Sequence, residues 1–339
     1  MDYKTAVKEL GKRKINPIYV CYGSEGYFSD DLIRRLTDAL IEPDQRPFAV
    51  TKYDLAETPL DTVLEDAETL PFMVPQKLVI ASNALFLTGA KESGKVEHRT
   101  ERLLEYIKSP VDYSVLIFTV TADKLDERKK LVKSLKDSGY LVACGTPSAE
   151  ELSQWVAARA EKLGFRFDRG ALERFVLYVG TSLQTLAQEL EKCALFIGQG
   201  GVLTEDHVEQ LVTRTTEQNV FILIEDIVQL KLDRAFTMLH ELIKMKEEPI
   251  KILMLIARQF RIMYQVKDLT QQGYSQQQIA SQIGVHPYAV KIAAGQAAKY
   301  DVRQLARILG DLADLDYRMK SGRVDKVMGL ELFMMTLAG

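Results

Sequence analysis

The sequence predicts a mostly parallel α/β domain followed by helical modules, on three observations. Strand-like runs and helical patterns alternate through the first 145 residues, the order that βαβ units produce. From Thr146 the strand signal stops, and the rest of the chain carries helical periodicity alone. A chain of 339 residues exceeds one typical core, so two or three domains are expected, with boundaries near residues 145 and 214.

Ile18-Tyr19-Val20-Cys21-Tyr22, bounded by Pro17 and Gly23, reads as the first buried strand. A helix follows, with Ser29 as its expected cap, Asp30 and Asp31 in its positive first turn, and Leu32, Ile33, Leu36 and Leu40 at helical spacing. Residues 48–54, from Phe48 to Asp54, are the second expected strand, and 58–68 a helix with Leu60, Val63 and Leu64 on its apolar side. The third strand is 77–81. Before it, Thr69-Leu70-Pro71-Phe72-Met73-Val74-Pro75 sets four large apolar side chains among two prolines, which neither a helix interior nor a sheet ladder tolerates. Such a loop is either tucked under the domain or offered to a partner, and pattern alone favours tucking.

Residues 89–102 are polar and read as a mobile loop, 101–108 as a helix, and 114–120 as the fourth strand. A helix carrying Arg128, Lys129, Lys130, Lys133 and Lys136 precedes the fifth strand, 140–143. Its charge run reads as a solvated face, with a weak phosphate contact as the sharper alternative. Beyond the first boundary, Pro147 and Ser148 start a helix with Leu152, Trp155, Val156 and Ala160 on its core face. Helices over 169–179, 182–197 and 204–212 complete a small module. Long amphipathic helices are then expected over 220–231, 233–245, 249–271, 275–283, 287–297, 302–320 and 326–337, with Met254, Leu255 and Met263 in their packing stripes.

The first strand, loop and helix have the frame of a mononucleotide site, but not its residues. A working phosphate loop needs glycine, lysine and a hydroxyl side chain in register. Counted from Gly23, those positions hold Phe28, Ser29 and Asp30. Two adjacent carboxylates, Asp30 and Asp31, would repel a triphosphate with no cation to compensate, so no ATP hydrolysis is expected. An ordinary first βα unit is the plainer reading of the same residues.

Composition excludes further classes. The formal charge of -3 argues against non-specific nucleic-acid binding by the whole surface. Cys21, Cys144 and Cys193 are few, odd in number and without zinc spacing, so they read as reduced core thiols of a cytoplasmic protein. His98, His207, His240 and His286 are scattered, and no metal or cofactor is expected. Lys4, Lys8, Lys12, Arg13 and Lys14 interrupt any signal-like apolar run, and no segment is long and apolar enough to suggest a membrane span.

Residues 278–297 compete for attention, because alanine, glycine and valine stand at helix-turn-helix offsets from Gln278 to Val290. The alternative function is therefore a DNA-binding regulator using this stretch. Its second helix offers Tyr288, Lys291 and Gln296 among alanines, a poor base-reading set, and packing is the favoured reading.

Taken in order, three signatures resemble the delta subunit of the bacterial DNA polymerase III clamp loader over essentially the whole chain. They are Tyr22-Gly23-Ser24-Glu25, the altered phosphate loop; Leu70-Pro71-Phe72-Met73 before the 77–80 strand; and a carboxyl-terminal series. That series comprises Ile256-Ala257-Arg258-Gln259-Phe260-Arg261, the 279–290 stretch, and Asp316-Tyr317-Arg318-Met319-Lys320-Ser321-Gly322. The resemblance implies an AAA+-like fold: a RecA-type parallel-sheet domain over 1–145, a small helical lid over 146–214 and a helical collar, the oligomerisation domain, over 215–339. It implies a role in DNA replication in which this subunit binds the sliding clamp (beta) and opens the ring for loading onto primed DNA. The tau/gamma motor subunits would hydrolyse ATP, and delta-prime would share the assembly with them around primer-template DNA. By position the clamp-binding wedge would be Leu70, Phe72 and Met73. On this reading the loop is offered rather than tucked, the subunit of the polymerase holoenzyme has no catalysis of its own, and Gly23, Phe28, Ser29 and Asp30 bind no nucleotide.

Overall fold

The fold was obtained as a computed structural model that describes residues 1–90 and 96–338, so the centre of the polar stretch expected to be mobile lies outside the described residues. Two compact units divide the chain, Met1–Thr146 and Pro147–Gly339. The boundary expected near residue 214 falls inside the second.

The first unit runs α1 (Tyr3–Gly11), β1 (Ile18–Tyr22), α2 (Gly26–Leu40), α3 (Arg46–Ala49), β2 (Val50–Asp54), α4 (Leu60–Glu68), β3 (Lys77–Ser82), α5 (Thr100–Lys108), β4 (Ser114–Val120), α6 (Lys130–Asp137) and β5 (Leu141–Ala143). Its five strands are all parallel, in the order β2-β3-β4-β1-β5. Central strands are buried on both faces, which is why β1, β3 and β4 read as unbroken apolar runs rather than alternating ones. Ile18, Val20, Leu116 and Phe118 from the sheet pack with Leu60, Leu64, Leu103 and Leu131 from the helices in one core.

Local chemistry moves several boundaries. Helix α2 starts three residues before Ser29, because the Glu25 side chain caps it by accepting from the Tyr27 backbone N–H. Asp31 consequently lies on a buried face, where it accepts from the Tyr3 hydroxyl and from Arg34 and Arg35. The unanticipated α1 is capped by Asp2 and buries Tyr3, Ala6 and Leu10. Phe48 belongs to α3, not to the second strand. Arg128 and Lys129 precede α6; Arg128 pairs with Asp126 at 2.8 Å, Lys129 donates to the Phe86 carbonyl at 2.7 Å, and Lys136 reaches Glu127 at 2.8 Å.

In the second unit, α7 (Ala149–Lys162) is followed by β6 (Arg166–Phe167), α8 (Ala171–Val179), α9 (Leu183–Ile197), β7 (Val202–Leu203) and α10 (Glu205–Leu211). The strand signal does not stop entirely, since β6 and β7 pair in parallel; two-residue strands are too short to leave a period in sequence. Capping boxes at Ser148 and Thr204 start α7 and α10. Trp155 is only half-buried, while Leu152, Val156 and Ala160 form the core face. There follow α11 (Thr216–Val228), α12 (Leu232–Lys244), α13 (Pro249–Gln271), α14 (Gln276–Ile283), α15 (Pro287–Ala297), α16 (Val302–Lys320) and α17 (Lys326–Ala338). Their apolar faces share one cluster that includes Ile256, Phe260, Met263, Leu305, Leu312 and Phe333. Leu255 packs against this cluster as expected, whereas Met254 is half-exposed. No described helix is long and apolar enough to cross a membrane.

Candidate functional site

The loop between α4 and β3 carries the most exposed apolar group of the first unit among the described residues. Leu70 is 72% exposed, Phe72 78% and Met73 85%, so the tucked arrangement favoured by pattern alone does not occur. The physical reason lies at Pro71, Pro75 and Met73. Proline cannot donate to a ladder or continue a helix, and Met73 takes a left-handed φ of 61°, a conformation that strands do not use.

Both ends of this loop are held down. Thr69 closes α4 with backbone and hydroxyl hydrogen bonds to the Glu65 carbonyl at 3.0 and 2.6 Å. Lys77, at the other end, is buried, and its ammonium donates back to the Asp66 carbonyl and to Asp66 Oδ1 at 2.9 Å. A cation at the carboxyl end of α4 also suits the negative pole of that helix. The Tyr113 hydroxyl donates to the Glu68 carbonyl at 2.6 Å, and Arg102 bridges Glu65 and Glu68 at 3.2 and 2.8 Å. Residues 70–75 therefore project from a fastened base. Sequence reading placed Lys77 only as the first residue of a strand; a lone lysine opening an otherwise apolar run was the available signal.

The β1–α2 connection takes another form. Gly23 has a φ of 148°, and a Cβ built on it would lie 2.0 Å from the Cys144 carbonyl oxygen. Glu25 donates its backbone N–H to that same oxygen at 3.0 Å, and Cys144 donates to the Tyr22 carbonyl at 2.7 Å. The turn is thus drawn flush against the end of β5. Since α2 begins at Gly26, the later positions of the loop counted from Gly23 are already helical, and Phe28 is buried with its ring stacked 4.3 Å from Tyr3. Ser29 is half-buried and Asp30 exposed, both inside the helix. These four positions and the 70–75 loop are separate features: one follows a strand, the other precedes one.

Helix α15 is packed, which disfavours the base-reading alternative. Tyr288 is buried and donates to the Glu173 carbonyl at 3.3 Å. Gln296 is buried too, accepting from Gln259 at 2.7 Å and donating to Glu225 at 2.9 Å. Of the three proposed readers, Lys291 alone is exposed.

The remaining polar singletons have structural partners. His98 accepts from the Leu60 N–H, His207 belongs to the α10 capping box, His240 meets Glu331 at 2.7 Å, and His286 caps α15 through Nδ1. Burial lowers the His286 pKa to about 4. Cys21, Cys144 and Cys193 are buried free thiols. Among the described residues no group of three or more His, Cys, Asp or Glu could hold a metal ion.

Comparison with known proteins agrees with this layout. The family model described as DNA polymerase III, delta subunit, matches residues 19–145, and a second model, for the carboxyl-terminal domain of the DNA polymerase III delta subunit, matches 217–337. DNA polymerase III subunit delta of Bacillus subtilis is 40% identical over 330 residues, 97% of this chain and 95% of the relative. A solved structure titled Bacillus subtilis DNA clamp loader delta protein (YqeN) is 39% identical, covers 99% of both chains and superposes with a TM-score of 0.76. A probable DNA polymerase III subunit delta of Aquifex aeolicus is 23% identical over 79% of this chain and 75% of the relative.

Proposed function

This chain belongs to the family of DNA polymerase III delta subunits, and on that premise we propose that it binds the replication sliding clamp through Leu70, Phe72 and Met73 and lets the ring open. The observation that carries the proposal is the exposure of these side chains on a loop fastened at both ends. Phe72 and Met73 add nothing to stability while they stand in water, whereas each contributes on the order of 1.5–3 kcal/mol when buried in a partner pocket. Fastening matters as well, since a loop already ordered loses less conformational entropy on binding.

Opening a ring requires no bond to be made or broken. It requires tighter binding to the open form than to the closed one, because a ligand shifts an equilibrium only by its differential affinity. The closed β1–α2 turn and the absent lysine fit a subunit that neither binds nor hydrolyses ATP, with energy input left to motor subunits in the same cytoplasmic assembly. Tau/gamma and delta-prime subunits and primer-template DNA are the further partners under this proposal, and residues 146–214 and 215–339 act as lid and oligomerising collar.

The test is equilibrium binding of the full chain to the sliding clamp. Changing Phe72 and Met73 together to alanine removes about 3–6 kcal/mol of burial, so affinity falls by roughly a hundredfold or more, with an unchanged melting temperature. Unaltered affinity of the folded double variant would rule out the loop as the docking element.

A further inference from the structure

Phe48 is exposed to 76%, as fully as the loop residues, and neither core packing nor the loop itself accounts for it. Among the described residues of the first unit, four large apolar side chains exceed 70% exposure, and they are Phe48, Leu70, Phe72 and Met73. Their placement in the sheet is not scattered. Strands β2 and β3 are hydrogen-bonded neighbours in parallel, with Val50 opposite Leu78. Phe48 stands two residues before Val50, and Leu70, Phe72 and Met73 lie seven, five and four residues before Lys77, itself one residue before Leu78. All four therefore lie in the segments that lead into the amino-terminal ends of two adjacent strands. Phe48 is also fixed in place by its own short helix: Pro47 sits in the first turn of α3, and the Phe48 and Ala49 N–H groups both donate to the Gln45 carbonyl at 3.0 Å. An exposed phenylalanine on an ordered turn thus precedes the strand that pairs with the one the exposed loop leads into.

We propose that Phe48 is a second anchor for the same protein partner that the 70–75 loop engages, so that the partner is held at two points set by the β2–β3 ladder. This rests on the loop being the docking element. A single loop allows a bound body to pivot about it, whereas two anchors on neighbouring strand ends fix its orientation. The partner surface that fits is apolar and wide enough to span both anchors.

The experiment compares the full chain with Phe48→Ala, Phe48→Leu and the Phe72→Ala/Met73→Ala double variant, each measured for affinity to the sliding clamp, with thermal melting as the fold control. The expected result is a tenfold or greater loss for Phe48→Ala, a smaller loss for Phe48→Leu, and unchanged melting for both. A photo-crosslinking residue at position 48 should also couple covalently to the clamp, a readout independent of how alanine affects folding. Wild-type affinity for Phe48→Ala and no crosslink, alongside loss of binding in the loop variant, would overturn this inference and leave the docking loop standing. If the loop variant binds as the wild type does, the docking reading fails, and the two-anchor inference with it.

Discussion

Replacing Lys77 by methionine tests whether the loop is held out by its base. The change keeps an unbranched apolar stem in the space that the buried lysine fills, and it deletes the ammonium that donates to the Asp66 carbonyl and to Asp66 Oδ1 at 2.9 Å. Two charge-assisted hydrogen bonds are lost, each contributing about 1.5–3 kcal/mol, while the desolvation cost of a buried cation is relieved. Asp66 is not stranded, since its side chain is partly open to water and the Tyr53 hydroxyl donates to it at 3.2 Å. The net loss of stability is therefore expected near the lower end, about 2 kcal/mol, read as a drop in the urea midpoint of the first unit. A second effect falls on binding. If the equivalent of one or two residues of backbone order is lost from the loop, about 2 kcal/mol must be supplied again on docking, and clamp affinity falls about thirtyfold although Leu70, Phe72 and Met73 are untouched. Isothermal titration of the full-length variant measures it. Stability like that of the wild type would refute the anchoring role of Lys77, and a stability loss without any change in affinity would refute the claim that anchoring prepares the loop.

Other perturbations read other parts of the chain. Gly23→Ala places a methyl group 2.0 Å from the Cys144 carbonyl oxygen at a φ of 148°, so the β1–α2 turn must move; a loss of about 2 kcal/mol or more is expected by thermal melting. Asp31→Asn removes a carboxylate that the Tyr3 hydroxyl, Arg35 and Arg34 hold below its usual pKa despite burial; a loss of about 2 kcal/mol at neutral pH is expected in chemical denaturation. Because that pKa is depressed in the folded state, the difference between wild type and variant is present at neutral pH and shrinks as the carboxylate protonates at acid pH. His286 titrates in the folded chain at about 4, below its ordinary value near 6.5, so the unfolded chain takes up the proton first; stability is full above about pH 6.5 and is lost as pH falls towards 4. His286→Asn keeps a side-chain acceptor for the Tyr288 N–H without titrating, and urea unfolding at several pH values should show a shallower acid loss.

What could be read in advance, and what could not, divides along physical lines. The five strands were legible because a sheet buried on both faces demands apolar runs, and β1, β3 and β4 are such runs. Long helices with proline or aspartate starts, α13, α15 and α16, were legible to the residue for the same reason that caps exist. The start of α2 was not, because Glu25 is an uncommon cap and Ser29 a common one. Exposure of the loop was not legible from pattern either, since Leu, Phe and Met have the same composition whether buried or presented; the family resemblance supplied that expectation, and the accessibility of Leu70, Phe72 and Met73 agrees with it. Phe48 and Lys77 escaped notice because each looks like an ordinary strand residue until its neighbours in space are known.

Open α/β sheets ordinarily present their ligand sites at the carboxyl ends of the strands, where loops and helix N-termini converge. In the first unit that end is closed at the most favourable place: the turn after β1 lies against Cys144, its Glu25 N–H is already bonded, and Phe28 is stacked into the fold beneath it. The exposed apolar side chains stand at the opposite end, ahead of β2 and β3, where a RecA-type frame has no nucleotide to hold. Each arrangement makes sense of the other under the proposed function. A subunit that only grips has no need of the nucleotide end, so its loop can pack down and add to stability, while the other edge, free of catalytic demands, can carry greasy residues whose burial is deferred until a partner arrives. The cost of that deferral is aggregation risk, and it is kept small because the group comprises four side chains on fastened segments rather than a long open strand edge.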